Sequence, residues 1–325
     1  MNVRLAVAMV LGMAACSGDG AADPVPLVVS RAASYAWTET PVVYAQGLRH
    51  ADWNAPSPEA MDLVGLLWLP EAPGPRPALL IIHGGGFLGG SHTQPELIDY
   101  AEFFAARGWV VLSIDYRLYP DFPTLPPAWV TAVHAADRPE LAKALGCTTY
   151  GATRDAKAAV RYLQARAPEL GLDPTRIAVM GGSAGAFLAV ALGVSEPSDF
   201  RDELSLADDP TLATTHLEQD GRVVAVLDHW GGPDVLEAHA MTYGGSLWDP
   251  DDAPVQIVHG TADEIVPFAG AEVLRDACAA QGIPCTFHPI EGAGHGPWTS
   301  PVGGRPLTEL GFEFLAAHQG VVVED

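Results

Sequence analysis

The sequence is short of positive charge. Its 325 residues hold 17 lysines and arginines against 40 aspartates and glutamates, a formal net charge of −23. Such a surface repels phosphate backbones and anionic bilayers, which excludes nucleic-acid binding. Cysteine is scarce as well, with 4 residues, no CxxC pair and no Cys/His cluster at zinc-ligand spacing. No zinc site is therefore expected. Long hydrophobic runs are missing too. The apolar stretch within MNVRLAVAMVLGMAAC is too short to cross a bilayer as a permanent helix. No internal repeat is visible, and no domain linker follows residue 30. Apolar side chains, by contrast, make up 48% of the chain and charged ones 18%, so a large buried core is affordable at this length.

Residues 1–16 place one arginine ahead of a short apolar run that closes on small residues, the pattern of a secretory signal. Met13-Ala14-Ala15-Cys16 resembles a bacterial lipobox, in which Cys16 would carry acyl chains that anchor the protein without spanning the membrane. Ordinary signal cleavage, with Cys16 incidental, is the alternative. Residues 17–30 then read as a flexible tether and 31–325 as one domain. An exported chain can keep disulfides. Cys278 and Cys285 flank a Gly-Ile-Pro turn and can bridge, leaving Cys147 alone; three buried thiols is the competing reading.

Along the domain, apolar runs alternate with amphipathic stretches. Strands are expected near 35–46, 62–69, 78–82, 109–114, 177–180, 223–227, 254–258 and 283–290. Helices are expected near 95–107, 153–167, 186–192, 267–280 and 306–318. This alternation predicts an α/β fold with a mostly parallel central sheet and helices on both faces. Segments 119–150 and 195–221 resist assignment and read as insertions over the pocket, or as a lid. Polar and glycine-rich motifs fall just after strand ends, at residues 83, 115, 183, 229, 263 and 295, where open α/β sheets bind ligands.

The stretch Gly181-Gly182-Ser183-Ala184-Gly185 lies between a strand and a helix. In that setting G-x-S-x-G holds a serine on a strained turn with its hydroxyl exposed; an idle serine on a glycine-rich turn is the bland alternative. A nucleophilic serine needs a base, an anion to orient the base, and donors for an oxyanion. His295 follows the last predicted strand and Asp263 the one before it, giving the order Ser183, Asp263, His295. Asp234 is the rival acid. The glycines after His83 leave bare N–H groups, so Gly85, Gly86 and Ala184 are the expected oxyanion donors. His83 should brace that loop, and Asp115 should pair with Arg117. Phe87, Trp230, Trp298 and Trp129 are candidate pocket walls, or core.

The stretches HGGGF (83–87), DYRL (115–118), DPTRIAVMGGSAGAFLA (173–189), HGTADEIVP (259–267) and GAGHG (292–296) together resemble α/β-hydrolases of the HGGG type. The likeness is to hormone-sensitive-lipase-like carboxylesterases and, more closely, to bacterial acetylxylan and feruloyl esterases. Gly182 stands where the lipase-like group carries aspartate, and residues 31–60 show no helical cap. The resemblance implies an α/β-hydrolase fold and cofactor-free ester hydrolysis through an acyl-enzyme. Its substrates would be short acyl, acetyl-sugar or feruloyl esters, free or linked to polysaccharide. A peptidase of the same fold, or a binding lipoprotein without catalysis, are the other readings.

Overall fold

The computed structural model describes residues 26–325. The expected signal, Cys16 and most of the expected tether lie outside the described residues. The tether ends earlier than expected. Val28–Ser30 (β1) pairs in parallel with Val322–Glu324 (β10), closing the two ends of the domain into a small separate sheet.

The main sheet has eight strands. In chain order they are β2 (Trp37–Arg49), β3 (Glu59–Pro70), β4 (Arg76–Ile82), β5 (Val110–Ile114), β6 (Leu172–Gly182), β7 (Val226–His229), β8 (Val255–Gly260) and β9 (Cys285–Ile290). Their order in space is β2-β3-β5-β4-β6-β7-β8-β9. β3 runs antiparallel to both its neighbours, and the strands from β5 to β9 are parallel. The helices are α1 (Pro95–Ala105), α2 (Pro127–Ala135), α3 (Glu140–Ala165), α4 (Ala167–Leu170), α5 (Ala184–Val194), α6 (Asp234–Tyr243), α7 (Phe268–Gln281) and α8 (Leu307–His318). None of the helices among the described residues is long and apolar enough to cross a membrane.

The central strands are apolar on both faces because both faces are covered. Alternate residues of β4 serve different cores. Leu79 and Ile81 meet Leu97 and Phe104 of α1 and Leu310 and Leu315 of α8. Leu80 and Ile82 join the larger core, with Leu163 of α3, Leu188 of α5 and Leu274 of α7. The chain leaves β4 toward α1 on one face and β6 toward α5 on the other. Since β4 and β6 are neighbours, a crevice opens between their carboxyl ends, the switch point where such sheets place ligands.

α3 is much longer than the helix expected over 153–167. It starts after Pro139, and Arg154, Asp155, Lys157 and Arg161 are all buried along it. Ala156, Ala159, Val160 and Leu163 lie in the core, and the 195–215 segment covers Lys157 and Arg161. Among the charged residues of α3, Asp155 and Lys157 find partners inside the protein. Asp155 binds Arg117 by three guanidinium contacts of 2.6, 2.9 and 3.2 Å and accepts from the Arg117 backbone N–H. Arg117 thus does not pair with Asp115, as expected from their proximity in sequence. Asp115 instead accepts from the backbone N–H of His92 at 2.7 Å and faces its ring Nδ1 at 2.8 Å. The planar guanidinium finds a bidentate carboxylate on α3, which a neighbour two residues away cannot present.

Cys147, Cys278 and Cys285 are free thiols. The expected bridge is not formed: Cys278 in the last turn of α7 and Cys285 at the start of β9 are separate thiols.

Candidate active site

Ser183 stands between β6 and α5 with φ 53° and ψ −121°, a left-handed conformation that costs energy for a residue with a side chain. Close packing enforces it. A Cβ at Gly185 would lie 2.2 Å from the carbonyl oxygen of Ile82, and one at Gly181 would lie 2.1 Å from that of Gly185. Only glycine lets the turn fold back on itself and sit against β4. The Ser183 N–H is satisfied by the carbonyl of His229 at 2.9 Å, which ties the turn to β7.

The three residues picked from the sequence meet here. His295 Nε2 lies 2.9 Å from Ser183 Oγ, and His295 Nδ1 lies 2.7 Å from Asp263 Oδ2. The Asp263 side chain is fully buried and turned by its own loop: Oδ1 accepts from the N–H groups of Ile265 at 2.8 Å and Val266 at 2.9 Å. Burial acts to raise the Asp263 pKa. The bond to His295 and the two backbone donors outweigh it, and the carboxyl ionises below its usual range. Asp234 makes no bond to His295, and Glu264 is exposed. His259 is structural, as expected, with Nε2 2.9 Å from the Val266 carbonyl and 3.4 Å from Asp263 Oδ2.

The loop after β4 wraps over the turn. Gly85 has φ 120° and Gly86 φ 62°, and Phe87 follows at φ 61°. His83 braces the loop: Nδ1 lies 2.6 Å from the Gly84 carbonyl, and the ring stacks on Tyr116 with centroids 4.3 Å apart.

A cavity of about 620 Å³ opens beside Ser183. Gly86, Phe87, Ala184 and Phe187 line it near the serine; Gly85 stands outside this lining. Of the aromatic residues expected as walls, only Phe87 belongs to it. Trp230 and Trp298 stack edge-on at 4.6 Å in a cluster with Tyr100 and His229 behind the turn. Trp129 is core, packed against Tyr150 and Phe200. The far walls come from Leu145, Gly146 and Thr149 of α3, Val235 and Ala238 of α6, and Ile265 to Pro267. Segment 119–150 therefore does shape the pocket. Segment 195–221 does not; it packs behind α3 and α6, with Phe200 and Leu204 in the core. No local motif marks the wall residues on α3 and α6, because tertiary placement alone brings them to the serine.

The chain is similar to known esterases. A family model described as BD-FAE matches residues 148–247. Lipase 2 of Moraxella sp. is 34% identical over 265 residues, covering 67% of this chain and 54% of its own length. Carboxylesterase NlhH of Mycobacterium tuberculosis is 32% identical over 130 residues, covering 40% of this chain and 32% of its own. The chain thus spans about half or less of these curated relatives. A thermophilic esterase of Thermogutta terrifontis, solved with butyrate bound, superposes with a TM-score of 0.58 at 25% identity, covering 82% of this chain and 92% of that one.

Proposed function

We propose that this chain, which has the α/β-hydrolase fold, is an exported serine carboxylesterase. One observation carries the reading: the unbroken relay from Asp263 through His295 to Ser183 ends at an apolar cavity. Ser183 Oγ attacks the ester carbonyl carbon while His295 Nε2 takes its proton. Asp263 holds His295 in the tautomer that leaves Nε2 free to accept, and stabilises the imidazolium that forms. The N–H groups of Ala184 and Gly86, with Gly85 behind, receive the developing oxyanion, each such donor contributing about 3 kcal/mol in the transition state. His295 returns its proton to the leaving alcohol, then activates water to release the acid.

Phe87, Phe187, Leu145, Val235 and Ile265 give the cavity apolar walls, with Arg138 and Asp234 as its charged lining, and the apolar walls favour an apolar acyl group. The butyrate bound by the Thermogutta esterase points the same way. Acetyl-sugar and feruloyl esters are the rival substrates. A fluorophosphonate probe should label the wild type and leave Ser183→Ala unlabelled. Equal labelling of both, or none of the wild type, overturns the reading. A nitrophenyl ester series from acetate to dodecanoate, run beside acetylated xylan and methyl ferulate, then sorts the substrate classes. Residues 1–16 supply the basis for export and lipid anchoring. In a bacterial host Cys16→Ser should move the protein from the membrane fraction to the soluble one; retention in the membrane fraction refutes the anchor.

A further inference from the structure

We propose that Asp199, Glu203 and His239 form a binding site for one divalent transition-metal ion of the zinc class, which fastens the 195–215 segment to α6 behind the substrate cavity. Each residue offers one ligand atom, and these atoms lie within 4.8 Å of one another. Zinc holds nitrogen and carboxylate oxygen at about 2.0–2.2 Å in a tetrahedron, so its ligands stand about 3.4 Å apart. Side-chain rotation that draws the three ligand atoms together by about an ångström closes the set, and water takes the fourth position.

Two observations point to a missing cation. His239 is only 5% exposed, yet neither of its ring nitrogens has a hydrogen-bond partner. An unsatisfied buried imidazole is costly and calls for an occupant. Its Nε2 faces Glu203 Oε1 at 3.5 Å, a long contact that leaves room for a shared ion. The carboxylates, in turn, have no basic side chain of lysine or arginine in ion-pair contact among the described residues. Lys157 lies nearby, but its Nζ donates to Ser195 Oγ and to the carbonyls of Glu196 and Asp199.

The surroundings suit a metal centre. Glu203 is already oriented: Oε2 accepts from the Tyr150 hydroxyl at 3.0 Å and Oε1 from the Phe200 N–H at 2.8 Å. Asp199 Oδ2 accepts from the Glu196 N–H at 2.8 Å. Such outer contacts fix ligands before the ion arrives. The rings of Phe200 and Tyr243 lie 4.9 and 4.8 Å from that of His239 and keep bulk water away. Imidazole with carboxylates selects zinc, or its neighbours in the series, over calcium and magnesium. Ala238, the neighbour of His239, lines the cavity, so an ion here would stiffen the pocket wall.

The site is independent of the chemistry at Ser183, and untagged Ser183→Ala protein can serve as host. Protein stripped with chelator is loaded with zinc chloride, gel-filtered and assayed for metal, and its unfolding temperature is followed. About one zinc per chain is expected, with a higher unfolding temperature. Glu203→Gln keeps an oxygen for the Phe200 N–H and can turn its amide N–H to the Tyr150 hydroxyl oxygen; it should lose at least about tenfold in affinity, as should His239→Gln. Cobalt in place of zinc should give d–d absorption that both variants lose. Less than about a tenth of a zinc per chain overturns the proposal. So does unchanged affinity in Glu203→Gln, or a His239 that shows two ring N–H protons by ¹⁵N NMR after zinc loading, since a proton then fills the gap.

Discussion

At the residue scale, Asp263 shows how one carboxylate is given one task. Two backbone N–H groups hold Oδ1, which leaves Oδ2 to His295. Asp263→Asn keeps the size and can keep the Oδ1 contacts, but its amide would offer His295 Nδ1 a donor and favour the wrong tautomer. Turnover of a nitrophenyl ester should fall by about 10⁴-fold with little change in KM. A loss under tenfold would show that another group orients His295. The identities of Ser183, Asp263 and His295 were legible because each follows a strand end inside a run of small residues. The wall residues Leu145, Thr149, Val235 and Ala238 were not, since each sits within an ordinary helical pattern and is selected only by where its helix lies.

At the element scale, α3 is the member that the other elements are built around. Through Asp155 it holds Arg117, whose Nη1 also donates to the Leu48 carbonyl of β2 at 2.8 Å. One buried pair therefore joins α3, the end of β5 and β2. Both partners are nearly inaccessible, 5% and 2% exposed at the side chain, so losing one leaves a charge stranded. Arg117→Met should destabilise the fold by about 3–5 kcal/mol in a denaturant titration. The double variant Arg117→Met with Asp155→Leu should recover much of that, because it removes the stranded carboxylate as well. A single variant within about 1 kcal/mol of wild type would refute this account. The sequence pointed to the wrong partner here: proximity suggested Asp115, whereas a bidentate contact needs a carboxylate arriving from another element.

At the scale of the whole molecule, stability should carry the signature of a buried acid. Asp228 in β7 is inaccessible; its Oδ1 accepts from the Gly231 N–H at 3.1 Å while Oδ2 has no partner. Burial pushes its pKa up from 3.8 to about 7. With the folded value raised, the folded chain keeps a proton that the unfolded chain releases. The contribution to stability is full below 3.8 and is lost as pH rises through about 7. Asp228→Asn keeps the acceptor for Gly231 and cannot ionise. The stability of wild type relative to this variant should therefore fall across that window, by an amount on the order of 4 kcal/mol at most. A difference that stays constant from pH 4 to pH 8, about the span of that window, would show that Asp228 does not titrate there.

The sequence by itself determined the fold class, the strand-ended motifs and the order of the three site residues. Those depend on local rules: apolar period, glycine at tight turns, and polar residues at carboxyl ends of strands. Only the tertiary structure decided the rest. It paired Arg117 with Asp155, put Trp230 and Trp298 behind the turn and not in the pocket, and brought Asp199 and Glu203 to His239. These outcomes rest on contacts between residues far apart in the chain. Side-chain direction, burial and the reach of a charge are set there by how helices pack on the sheet, and no short window of sequence contains that information.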